Sequence, residues 1–576
     1  MINKNTVGKT ECFDGFSGMD ASSPFGKGTT YSLKNFRVLS DGSIEKREGY
    51  RHLATLPDLA RAVCVFEDSG EEVLLAVAGN CLCRIRKADG DLQTAPVFAT
   101  TEGNILFIRH EGVLYILDGE TFYRYDGGVS VTGGEAHIPI IGKGWPVNAQ
   151  IHQSVHEEPN LFCRKACFMY APPSSTNTAV NAVCFDRPVA SVDHIFAGTT
   201  DLSGRKITLD EDGRRLAFES PCYLGGKELR VYVTLPDDGK LPSVTQAFSY
   251  EGLGFSRLFL YGGDDPSVVY ASCQADTDPM VQPSHVADFQ LYFPASSVSS
   301  FGKGRRVNAI RRMARKLLVF LEKESLISKD AVDNGEPIDF ISLSKEVGCS
   351  ATEGVHLLDE KTLVVVDRVG IYKITVDVTM EEDCVIRRIS DSIGNQMGSA
   401  FCTGVSLCSH RKNSELWFAD PSGKGEIFVY CPDSGNWCVY DGIRADFIVD
   451  LWGDVAFLEG QFVNLFDKTC TVDKASYGEL DIEARFKSHY FDLGKPESDK
   501  RLSGTLILTD LDGGALEVRL SDGGYLAEFT LDGDANPNFP YLYERALKSG
   551  RFRFASLELR ATGAARQRVF GAKVFV

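Results

Sequence analysis

Apolar and polar positions along the chain fall into a repeated phrase. An apolar run of four or five residues meets a short turn, and a second apolar run follows. Val73-Leu74-Leu75-Ala76-Val77, Gly79-Asn80 and Cys81-Leu82-Cys83-Arg84-Ile85 make one copy. Val113-Leu114-Tyr115-Ile116, Asp118-Gly119 and Phe122-Tyr123-Arg124-Tyr125 make another. Later copies start at Leu317, Leu363, Leu416 and Val455. Paired runs with Gly, Asn or Asp between them are β-hairpins, because those residues tolerate the positive φ of a tight turn. Successive hairpins start 40 residues apart (Val73 to Val113), 46 apart (Leu317 to Leu363) and 39 apart (Leu416 to Val455). That period predicts the blades of a β-propeller.

The rhythm breaks twice. Val113 and the next hairpin at Val268-Val269-Tyr270-Ala271 are 155 residues apart. One blade period leaves an excess of roughly a hundred residues, the size of a small domain. An inserted β-sandwich is expected at 142–250. Its strands are Cys167-Phe168-Met169-Tyr170, Ala182-Val183-Cys184-Phe185, Lys206-Ile207-Thr208-Leu209 and Leu229-Arg230-Val231-Tyr232-Val233. After about residue 475, strict alternation sets in, as in Leu516-Glu517-Val518-Arg519-Leu520 and Ser556-Leu557-Glu558-Leu559-Arg560. Alternation marks half-buried antiparallel strands, so a C-terminal β-sandwich is expected at 475–576. Residues 1–58 read as an N-terminal β segment joining the propeller, with a turn at Asp41-Gly42, and 59–141 and 251–474 as its blades. The one helical expectation is a turn or two at Tyr543 to Lys548.

Composition narrows the function classes. The chain has 576 residues, 43% apolar and 24% charged, the balance of a soluble globular protein. No apolar run nears the roughly 20 residues of a membrane helix, and the start, Met1-Ile2-Asn3-Lys4, lacks a secretory signal. Folding in a cytoplasm without a membrane anchor is expected. A net charge of −18 disfavours wrapping a nucleic acid backbone. It is compatible with DNA passing a like-charged wall, and equally with solubility alone. The 16 cysteines contain no CxxC pair and are expected as free thiols.

Candidate chemistry is sparse. Gly8-Lys9-Thr10 lacks the P-loop's first glycine, since Asn3 stands there. His152, His156, Cys163 and Cys167 are zinc-type ligands, but spacings of four suit a helix better than the strands expected there. Asp532, Asp534 and Asn536 place oxygens at alternate positions, as in a calcium loop. Pro537 and Tyr543 stand where that loop needs glycine and glutamate, which favours a solvated turn. Lys303, Arg305, Arg306, Arg311 and Arg312, with Arg315 and Lys316, form the one dense basic stretch. It could contact a neighbouring subunit or DNA, although Arg311 and Arg312 point to opposite faces of a strand. Neither a G-x-S-x-G nor an H-E-x-x-H motif occurs. No catalytic residue and no cofactor is assigned.

Several phrases taken in order resemble a known family. They are Asn35-Phe36-Arg37-Val38 with Lys46-Arg47-Glu48-Gly49-Tyr50; Glu157-Glu158-Pro159-Asn160-Leu161; Ser267-Val268-Val269-Tyr270-Ala271-Ser272 with Asp278-Pro279; Lys316 to Ile327; and His489-Tyr490-Phe491-Asp492-Leu493-Gly494-Lys495-Pro496 with Lys500-Arg501-Leu502. They resemble the tail-hub or tail-nozzle proteins of short-tailed bacteriophages, also called packaged-DNA stabilisation proteins. The resemblance implies a virion tail protein, not an enzyme, forming a homohexameric ring below the portal and adaptor. Such a ring retains the genome and forms its exit channel. Its partners would be head-tail adaptor proteins, other tail proteins and viral DNA bound without sequence specificity. The abundance of cysteine departs from the family, and the insert is not matched strand by strand. Two other classes remain open: a receptor- or glycan-binding propeller, and a propeller glycosidase or lyase with carboxylates that converge only in space.

Overall fold

The computed structural model describes residues 9–25, 30–98, 104–119, 121–133, 136–143, 157–170, 179–236, 241–252, 255–273, 291–313, 315–329, 338–376, 384–394, 396–493, 495–533 and 541–576. The chain is all-β: a β-propeller with an inserted β-sandwich and a C-terminal β-sandwich. Among the described residues, seven four-stranded antiparallel blades occur, at 60–96, 106–133, 246–300, 307–344, 355–388, 406–441 and 447–466. The last takes its fourth strand, Tyr50–Thr55, from the start of the chain, paired with Phe462–Phe466.

Two compact units divide the chain. One holds Met1–Pro96, Lys323–Ser325 and Leu343–Val576; the other holds Val97–Glu322 and Leu326–Ser342.

In the first unit, the apolar runs of the hairpins become central blade strands. Val73, Leu74, Leu75, Ala76 and Val77 have no exposed surface, so the strand is covered on both faces. Each fully buried Val or Leu contributes about 1.5–3 kcal/mol relative to exposure. Leu74, Ala76 and Ile85 of one blade share a core with Ala456, Leu458 and Val463 of another. Two residues at positive φ, Trp452 (49°) and Gly453 (84°), close the turn between Phe447–Leu451 and Asp454–Glu459.

The N-terminal segment does not go to the propeller alone. Only Tyr50–Thr55 enters a blade. Thr10–Phe13 pairs with the last strand, Arg568–Phe575. Phe36–Val38 and Ile44–Lys46 form a hairpin that continues the same sheet. Thr30–Lys34 pairs antiparallel with Ala484–Ser488 of the sandwich and parallel with Asn436–Asp441 of a blade. Blade and sandwich therefore share one nine-stranded sheet. The physical reason is an apolar stripe (Phe13, Phe16, Leu33, Phe36, Ile44) that is buried with Phe486, Ile507, Val518 and Val569 of the sandwich. The expected helix at Tyr543–Lys548 is instead the strand Tyr541–Ala546, because Gly504–Asp510 offers it an antiparallel ladder.

In the second unit, the insert folds around its own core of Phe168, Tyr170, Val183, Leu216, Val231 and Val233. Its two sheets run from Ile140–Lys143 to Leu229–Thr234. The expected boundary at 142 cuts the insert's own strand Ile140–Lys143, and the one at 250 cuts a blade strand. Gln246–Gly252 is the first strand of a blade. Phe162 packs with Phe122, Leu260 and Phe293 of the blades. Asn160 donates to the carbonyls of His137 (2.9 Å) and Leu291 (2.8 Å) and accepts from the Phe293 N–H (3.1 Å). Glu157 accepts from the Ile140 N–H at 2.6 Å. The phrase at 157–162 thus belongs to the blade core, where each buried backbone group needs its partner.

Two outcomes follow. Replacing 165–234 by a short glycine-serine linker leaves a soluble, cooperatively melting protein, whereas deleting 145–248 does not; soluble yield and circular dichroism separate the two. Gly49→Ala places a Cβ 2.0 Å from the Val472 carbonyl oxygen. We expect a loss of about 2–3 kcal/mol, read as a lower thermal midpoint of the first unit.

Candidate functional site

In the first unit, the turns at one end of three blades meet around a cleft of about 680 Å³. It is lined by Arg51, Glu71, Glu72, Arg86, Lys87, Asp89, Lys412, Asp454, Asp467 and Lys468, which are five cations and five carboxylates. Register puts them there. Arg51 lies opposite Leu465 on the strand borrowed from the start of the chain. Arg86 faces Val73 near the start of its hairpin. Asp454 follows the positive-φ turn at Trp452 and Gly453.

The charges are cross-linked. Lys87 Nζ lies 2.9 Å from Glu72 Oε2 and 3.2 Å from Asp454 Oδ2, and donates to the Trp452 carbonyl at 3.2 Å. Lys412 Nζ bonds Asp454 Oδ1 at 2.5 Å. Arg51 Nε is 3.4 Å from Asp467 Oδ2, and its Nη2 donates to the Lys87 carbonyl at 3.1 Å. Arg86 holds Glu71 at 3.3 Å and Asp89 at 2.8 Å. Burial acts to raise the Asp454 carboxyl, but the Lys412 and Lys87 ammonium groups outweigh it and hold it below its ordinary value. Asp467 is also held low: burial opposes, while the Thr469 N–H and hydroxyl and Arg51 prevail. The cleft is a fixed mosaic of charge, and its Asp454 and Asp467 carboxylates are stabilised as anions rather than poised as proton donors.

Beside the cleft, a buried junction ties the C-terminal sandwich to the propeller blade. Arg47 donates through Nη1 and Nη2 to Asp473 Oδ1 and Oδ2 (2.8 and 2.6 Å) and through Nε to Asn35 Oδ1 (2.9 Å). Asn35 sits at φ 55°. Its Oδ1 also accepts from the Asp441 N–H of the blade at 2.8 Å, and its Nδ2 donates to the Glu483 carbonyl of the sandwich at 2.9 Å. Asparagine tolerates this left-handed conformation better than most residues.

No family model matches the chain, and no curated protein matches it. Among solved structures, similarity reaches the crystal structure of Saccharomyces cerevisiae Sqt1 at 10% identity, covering 73% of this chain and 99% of that one, with a TM-score of 0.34. A chain of the crystal structure of the mitotic checkpoint complex is similar at 8% identity, covering 72% and 93%, with a TM-score of 0.35.

The basic stretch is not one patch. Lys303, Arg305 and Arg306 are exposed on the turn between Val298–Ser300 and Val307–Met313. Arg311 and Arg312 lie within the second of these strands. Arg312 lies over the Tyr250 ring at 4.9 Å and donates to the Glu251 carbonyl. Arg311 Nη1 donates to the Ile310 carbonyl at 2.8 Å. Asp532 is the exposed last residue of the strand Ala527–Asp532, while Asp534 and Asn536 lie outside the described residues. Among the described residues, no three His, Cys, Asp or Glu side chains form a metal-binding group. His152 and His156 lie outside the described residues. Cys167 is buried, and burial pushes its thiol up to about 12, away from the thiolate that a metal takes. Lys9 donates to the Leu493 carbonyl at 2.6 Å. All 16 cysteines are free thiols.

Sequence reasoning missed the charged cleft. Its residues come from segments far apart in the chain, and only strand register unites them. The usable signal was the charge in the turns, Glu71-Glu72, Arg86-Lys87 and Asp467-Lys468.

The two aspartates make a pH prediction. Their folded values lie below the ordinary carboxylate range. Their contribution is therefore complete above that range and is lost as pH falls through the folded values. The double variant Lys87→Met/Lys412→Met should be less stable than wild type at pH 7 by about 1 kcal/mol. The gap should close below about pH 4, as read by thermal midpoints from pH 7 to 3.

Proposed function

We propose that the chain is a structural protein of a phage tail, acting by assembly into a ring below the portal and adaptor. The ring retains the packaged genome and forms its exit channel. One observation carries the reading. Two of the five phrases that resemble the tail-nozzle family lie at junctions between parts of the fold. Asn35 and Arg47 join sandwich to blade, and Glu157 and Asn160 join insert to blade. His489 to Lys500 lies in the sandwich, where Lys500 Nζ donates to the carbonyls of Lys495, Ser498 and Arg553 at 2.6–3.0 Å. A protein that holds DNA under pressure needs domains that cannot swing, and these bonds supply that rigidity. A net charge of −18 suits a channel to which DNA does not adhere.

Receptor or glycan binding is the second reading. On the outer face of the insert, His194, Phe196 and Tyr232 cluster with ring centroids 6.0–6.2 Å apart, partly open to solvent. Exposed aromatics of this kind can stack on a sugar ring. The buried tryptophans Trp417 and Trp437 belong to a blade core and do not serve that role.

Light scattering and negative-stain imaging of the purified protein test the first reading. A closed hexameric ring with a central pore is the expected result. A monomer that fails to form rings even with portal and adaptor present overturns it. A glycan-binding screen with Tyr232→Ala as control then tests the second.

A further inference from the structure

In the second unit, the blades 246–300 and 307–344 leave between them a cleft of about 280 Å³. Its lining is mixed, with the apolar Phe259, Val269, Ile310, Leu317, Val319 and Phe340 beside the polar Ser296, Ser297 and Ser299. One cation points into this lining. Arg257, on the strand Phe255–Tyr261, donates through Nε to the Ser272 carbonyl at 2.7 Å and lies 5.9 Å from the Phe259 ring. Among the described residues, it forms no ion pair. Glu158 is committed elsewhere, with Oε2 accepting from the Ser296 N–H at 2.9 Å. Burial pushes the guanidinium down, with only the Cys273 thiol opposing. A guanidinium has five donors in a planar fork. Arg257 is half-buried, and a charge partly withdrawn from water gains from a partner of opposite sign.

We infer that this cleft binds a small apolar carboxylate, with Arg257 holding the anionic head and the facing blade walls holding the apolar tail. Charge complementarity selects the head. A single cation matches a monoanion, and the fork of Arg matches the two oxygens of a carboxylate. The walls select the tail, since a di- or trianion would be desolvated there without a second cation. The volume lies near the lower end of small-molecule sites. Ser297 and Ser299 line the same cleft.

Titration calorimetry on the full-length chain tests this, with decanoate as probe and decanol as its neutral counterpart. Saturable binding of decanoate, about tenfold or more tighter than decanol, is expected. Arg257→Gln should remove that preference and leave decanol binding unchanged. If Arg257→Gln fails to fold by circular dichroism, the comparison of the two probes on the wild-type chain still decides. No saturation by decanoate, equal binding of decanol, or undiminished preference in a folded Arg257→Gln overturns the inference. So does saturation that arises only after residues 274–290 are exchanged for a glycine-serine linker, which would assign the cleft to the chain's own acidic segment.

Discussion

A guanidinium almost without solvent contact holds the first unit together. The Arg47 side chain is 1% exposed and its partner Asp473 is 8% exposed. Desolvating both charges costs several kcal/mol, which the pair recovers only through near-complete hydrogen bonding. The structure meets that demand with Asn35 and with the Glu48 carbonyl, which accepts from Nη1 at 2.9 Å. Both lie in the same N-terminal segment as Arg47, and Asn35 carries the network on to the Asp441 N–H of the blade and the Glu483 carbonyl of the sandwich. The bond network therefore fixes where the start of the chain, a blade and the sandwich meet. Removing one partner would strand a buried charge, so the junction behaves as a single unit rather than a sum of contacts. Gly49 follows from the same crowding, because the Val472 carbonyl occupies the space of a side chain.

That junction matters because of the chain's topology. Tyr50–Thr55 completes a blade whose other strands lie about four hundred residues later, and Thr10–Phe13 borders the final strand. Such ladders close very long loops, and the entropy of closure must be overcome before any bond rewards it. A buried, geometrically demanding ion pair adds register to this closure. The apolar stripe of Phe13, Phe36 and Ile44 supplies the driving force, and Arg47 and Asn35 determine where it stops.

The same distinction separates what could be read in the sequence from what could not. Blade hairpins were legible because local chemistry dictates them: apolar runs such as Val73 to Val77, and turns such as Asp118-Gly119. Alternation at Leu516, Val518 and Leu520 exposed the sandwich in the same way. Pairings of distant segments left no local mark. Thr30–Lys34 reads as one strand among many, yet it joins a blade to a domain. Asn160 looks like a loop residue, yet its side chain binds the backbone of His137, Phe162, Leu291 and Phe293, the last two within a blade. Tyr541–Ala546 has mixed propensity, and its neighbour strand decides it. The charged cleft was hidden for the same reason.

Charge is distributed unevenly between surface and cleft, and this bears on how the protein meets its surroundings. The excess of carboxylates gives the molecule a repulsive field toward polyanions within about a Debye length of its surface. Within the cleft, however, all five carboxylates lie at ion-pair distances from Arg51, Arg86, Lys87 or Lys412, while Lys468 donates to Asn413. Such a mosaic has little net field but strong local directionality. It selects a partner by geometry at contact rather than by attraction from afar. The exposed Lys303, Arg305 and Arg306 have the opposite character, a local excess of positive charge on one turn. The proposed assembly role draws on both, the first to keep DNA from adhering and the second to recognise a neighbouring subunit by its polar pattern.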